Sequence, residues 1–162
     1  MASGEPLAVL EEEVRVEHGT FSLIDPDADY WRSEPHFTGN PIVTTDPHRI
    51  WFYSAGNDHY ATVRVELWEA RPPEITDADA CESHTVSFTA ARLCLATTVG
   101  GPVVHAPADT AEAEPRTHYL EVPTPGQFIL EVTVHGRDAA ADLEEATWAR
   151  GVESWLIRMW PA

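Results

Sequence analysis

Between residues 126 and 135 the chain repeats with a period of two. Phe128, Leu130, Val132 and Val134 alternate with Gln127, Glu131, Thr133 and His135, and only Ile129 breaks the polar set. Only an extended strand places every second residue on one face. The same alternation runs through Ala61, Val63, Val65 and Leu67, set against Thr62, Arg64, Glu66 and Trp68. Neither stretch has the three-to-four spacing of a helix, so both bind the chain to a β architecture. Tyr119 to Glu121 and a Pro-Thr-Pro-Gly turn precede the first stretch, and the reading predicts a central hairpin from Tyr119 to Val134. In that hairpin Pro125 sets φ at the turn's second position and Gly126 supplies positive φ at the third.

The remaining strands follow from shorter alternations. Val14 and Val16 alternate with Arg15 and Glu17. The phase slips at His18-Gly19 before Phe21 and Leu23, which predicts a β-bulge at the glycine. Residues 25–49 are proline-punctuated and aperiodic, the pattern of a long loop, and loops of that length are commonly functional. Ile50 to Tyr53, Thr85 to Ala90 and Arg92 to Thr97 read as strands. Glu153 to Trp160 is apolar on both faces, as a central strand would be. Residues 1–7 read as a frayed lead-in, and residues 136–151 as a loop with a possible helical turn. About eight short strands with little helix predict an all-β fold, an antiparallel β-sandwich or jelly-roll-like single domain over 1–162.

Composition narrows function by exclusion. The chain carries 27 acidic residues against 10 basic ones, a formal charge of −17, and all ten bases are arginine. A field of this sign opposes nucleic acid and anionic membranes and steers a basic protein partner inward. Without lysine there is no P-loop and no Schiff-base chemistry. The first residues lack a basic stretch followed by an apolar one, and no apolar run approaches the roughly 18 residues of a span. A bacterial cytoplasmic protein is the expectation. Cys81 and Cys94 form no CxxC and are expected as reduced thiols.

Of the eight histidines, His84, His105, His118 and His135 lie in or beside different strands. They lack the paired H-x-H of a cupin metal site, so the sequence predicts no cofactor, with a jelly-roll metal enzyme or ligand binder built on those four as the alternative. Asp25-Pro26-Asp27-Ala28-Asp29 lacks the glycine and terminal glutamate of a calcium loop. It reads as a solvated acidic turn, as does Glu11-Glu12-Glu13. The binding expectation rests on Tyr30 and Trp31 as aromatic anchors rimmed by Asp25, Asp27, Asp29 and Glu34, with Asp109, Glu112 and Glu114 as a second acidic loop.

V-R-V-E-H-G-T-F-S-L-I-D, V-P-T-P-G-Q-F-I-L-E-V-T-V and W-L-I-R-M-W-P together resemble small acidic bacterial β-sandwich proteins, namely the nuclease inhibitors of the competence protein J type. The resemblance covers about a third of the chain, and it implies a non-enzymatic protein that binds and blocks a basic nuclease or toxin, as an immunity protein does. A structural subunit of a larger assembly is a further alternative.

Overall fold

The computed structural model describes residues 4–105 and 116–162. Eleven strands occur among them: β1 (Ala8–Val16), β2 (Thr20–Ile24), β3 (Val43–Asp46), β4 (Arg49–Tyr53), β5 (His59–Leu67), β6 (Ala80–Phe88), β7 (Arg92–Thr97), β8 (Gly101–Pro102), β9 (Leu120–Glu121), β10 (Gly126–His135) and β11 (Arg150–Pro161). A short helix α1 (Arg137–Ala141) and a 3-10 turn (Tyr30–Arg32) complete the described elements. One sheet has the order β1-β5-β11-β10-β6, and the other β3-β4-β2-β7-β8 with β9 also on β7. The fold is all-β. The first sheet is mixed, because β11 runs parallel to β5 while the other pairs are antiparallel.

The two sheets share one core. Phe21 of β2 and Phe52 of β4 stack with centroids 5.0 Å apart, and Trp155 of β11 meets both rings from the other sheet at 5.2 and 5.8 Å. Val63, Val65, Leu130, Val132, Ile157 and Met159 fill the first sheet's inward face. Here the predicted alternations of β5 and β10 hold. β11 is the middle strand of its sheet, as its two apolar faces imply.

Several expectations are corrected by the pairing. The predicted hairpin does not form: β9 pairs with β7 in one sheet, and β10 pairs with β6 and β11 in the other. Both edges of β10 are occupied, so the Pro-Thr-Pro segment carries the chain from sheet to sheet, and Gly126 opens β10 opposite Phe88. The phase slip at Gly19 has the same origin. His18 (φ 55°) and Gly19 (φ 77°) form a turn, not a bulge, between β1 in one sheet and β2 in the other. Residues 25–49 include β3 and the start of β4, and the strand expected at Thr85 to Ala90 begins earlier, as β6 from Ala80 to Phe88. Glu11-Glu12-Glu13 is the middle of β1 rather than a turn.

Candidate partner-binding surface and the histidines

The segment between β2 and β3 folds back over the outer face of the second sheet. Tyr30 packs on Ile24, Cys94 and Ala96, which point away from the common core. Ser33 accepts a hydrogen bond from Trp51 Nε1 at 2.9 Å and donates to Asp46. The His36 amide donates to the Tyr53 hydroxyl at 2.7 Å, and the Phe37 ring meets Tyr53 edge-on at 5.6 Å. Arg49, buried on the same face, lies 3.8 Å from the centroid of the Trp51 ring and donates to Ser22 at 3.0 Å. Its burial lowers the guanidinium pKa, an effect partly opposed by Tyr30. This flap is why β2 and β4 are buried along their whole length.

The aromatic anchors divide into two kinds. Tyr30 is half-buried and holds the flap down. Trp31 is 62% exposed, and Phe37, which the sequence reading left out of the site, is 67% exposed. An exposed large aromatic in an aperiodic loop is the signal that marks both.

The acids of this segment also divide. Asp25 is buried and accepts from the Asp27 amide at 3.0 Å, so it shapes the turn and does not meet solvent. Asp27 pairs with Arg92 through two 3.2 Å contacts, and Asp29 lies 3.5 Å from Arg32. Glu34 is exposed. Asp29, Arg32, Glu34 and His36 line an open groove of about 600 Å³ beside Trp31. Asp109, Glu112 and Glu114 lie outside the described residues.

The four candidate histidines do not form one cluster. His84 lies 3.2 Å from Glu82, and His135 contacts the Asp77 carbonyl at 3.0 Å. His105 and His118 do meet, with rings stacked at 4.2 Å, and both face Glu12 of β1. Glu12 is the residue the sequence reading missed. It occupies the inward phase of β1 with Leu10, Val14 and Val16, so its place in the alternation was the available signal.

Two further ionisable groups in the inward phase of the first sheet have no exposure at all. Glu153 is fully buried, accepting from Trp155 Nε1 at 2.6 Å and from the Ala55 amide at 3.1 Å. His59 is equally buried, with Nε2 at 2.7 Å from Ser54 Oγ, and burial pulls its imidazole pKa down against the opposing pull of Glu153.

Fold and surface together define an all-β two-sheet domain with one face sealed by an aromatic-bearing flap. No protein-family model matches the sequence, and no curated protein matches it. Two solved structures share the fold. One is ComJ from Bacillus subtilis, an inhibitor of the DNA-degrading activity of NucA, with TM-score 0.57, 10% identity, and coverage of 100% of this chain and 99% of that one. The other is named Crocagin biosynthetic gene J, with TM-score 0.58, 18% identity, and coverage of 94% and 96%. The resemblance read from the sequence therefore holds for the fold. Among the described residues no helix is long and apolar enough to cross a membrane.

Proposed function

We propose that this chain is a non-enzymatic protein-binding module that inhibits a basic effector, such as a nuclease or toxin, and that the flap carries the contact. The observation behind this reading is Trp31. A large ring stands 62% exposed on a segment whose neighbours Tyr30 and Ser33 are tied to the sheet beneath. Holding an aromatic rigidly before binding reduces the ordering cost of association. The surrounding acids and the charge of −17 favour a basic partner through steering and fast encounter. The inhibitory role of ComJ, a protein of the same fold, is consistent with it.

The test is a titration of the purified protein into a DNA-degradation assay of a basic nuclease encoded beside it, at low and high salt. Inhibition at low salt that weakens at high salt supports the reading. Trp31→Ala is expected to weaken the complex by about 2 kcal/mol, a hot-spot magnitude, with the unfolding midpoint unchanged. Affinity unaffected by Trp31→Ala removes the flap from the proposal, and a nuclease neither bound nor inhibited at either salt removes that effector.

A further inference from the structure

Glu12 occupies an unusual position for a carboxylate. It is only 4% exposed, at the inward phase of an edge strand, and burial raises its pKa against the opposing effects of His105 and His118. One oxygen, Oε1, lies 2.6 Å from His105 Nε2 and 3.6 Å from His118 Nδ1, and the other, Oε2, is buried with no hydrogen-bond partner. Leaving a buried carboxylate oxygen unpaired is costly.

Neither ring proton reaches the buried Oε2. A hydrogen bond from His105 serves Oε1, but His118 Nδ1 lies beyond hydrogen-bond reach of the same oxygen. A neutral His118 can turn either a bare or a protonated Nδ1 toward the carboxylate, and at 3.6 Å neither makes a hydrogen bond. If both rings are protonated, two cations stack at 4.2 Å with planes 9° apart. A single cation engages all three groups, because it takes lone pairs from both imidazoles and from the carboxylate at once. One donor atom from each of the three residues lies within 4.8 Å of the others. Ligands about 2.05 Å from a tetrahedral zinc ion lie roughly 3.4 Å apart, so small side-chain rotations close the set.

We propose that Glu12, His105 and His118 form a binding site for a divalent transition-metal ion of the zinc class. Two imidazoles with one carboxylate suit zinc, whereas magnesium and calcium favour all-oxygen sets. The side chains of His105 and His118 are 35% and 55% exposed, so an ion enters from their side and keeps its fourth position open toward solvent. The ion would also act as a clip. Glu12 belongs to an edge strand of the first sheet, whereas His105 follows β8 and His118 precedes β9 in the second. A bound cation ties the sheets together at that edge. The site is independent of the flap and of the inhibitor reading.

The test is calorimetric titration of chelator-treated full-length protein with zinc chloride, together with thermal unfolding. One ion per chain is expected, with an unfolding midpoint that rises with zinc concentration, since an ion that binds the folded state alone stabilises it. Cobalt in place of zinc should give the intense visible bands of a tetrahedral site. His118→Ala, at a half-exposed position, should weaken binding at least tenfold and remove the thermal shift, and Glu12→Gln should do the same. The double variant His84→Ala/His135→Ala should bind like the parent. No zinc binding by the parent overturns the site. So does binding that survives His118→Ala but is lost in the His84/His135 variant, which would mark surface histidines as the ligands.

Discussion

The two sheets distribute their buried ionisable groups differently. In the first sheet, the outer face carries ion pairs such as Arg64 with Glu11 at 2.8 Å and with Glu66 at 2.7 Å, and Glu66 and Arg158 are buried there with their partners. Its inner face hides Glu12, His59 and Glu153 among apolar side chains, and Glu82 and His84 are half-buried in the same phase of β6. In the second sheet the buried part of the inner face is hydrophobic, built from Phe21, Leu23, Ile50, Phe52, Leu93 and Leu95. The polar groups there lie on the outer face, where Ser22, Arg49 and Trp51 are sealed beneath the flap. Over the second sheet it is therefore the flap, through Trp31 and Phe37, that presents large side chains to solvent.

Truncation on the two outer faces should separate them most sharply. Trp51→Ala removes a ring that is 2% exposed and is expected to cost about 3–5 kcal/mol in chemical denaturation. A cost no larger than that of a surface residue would mean that the flap does not seal the sheet. Ser33→Ala leaves the Trp51 N–H without its partner and should cost about 1–3 kcal/mol. It should also speed amide hydrogen exchange in residues 30–37, and unchanged exchange would show that the flap is held by something else. Arg64→Ala, at a half-exposed side chain on the first sheet's outer face, should cost at most about 1 kcal/mol despite two carboxylate partners.

Acidification sharpens the contrast on the inner faces. The buried His59 titrates below its ordinary value of 6.5, so the unfolded chain takes up this proton first as the pH falls. Its contribution to stability is therefore complete above about pH 6.5 and is lost as the pH drops from there toward the folded-state value. Denaturation midpoints compared between the parent and His59→Gln should show this slope in the parent only. The smallest effect concerns the thiols. Cys94 lies beneath Tyr30, with burial pushing its pKa to about 12, whereas Cys81 is exposed. A thiol reagent should modify one cysteine in the native protein and the second only after unfolding, and two native reactive thiols would show an open flap.

How much was legible in the sequence follows from the same comparison. Sequence alone determined the β class and the strands β5, β10 and β11, because alternation is a local record of which side meets water. It also determined the acidic field, whereas the exposure of Trp31 and the partial burial of Tyr30 were set by packing. Tertiary structure decided which sheet each strand joins. β1 and β2, like β9 and β10, are neighbours in sequence but belong to different sheets, and hydrogen-bond partners are chosen by edges that lie far away along the chain. Tertiary structure also decided the burial of Glu12, which reads as one of three adjacent acids until His105, 93 residues away, arrives beside it. A strand's pattern shows which face it turns inward, and only the packed molecule supplies what waits there to meet a buried charge.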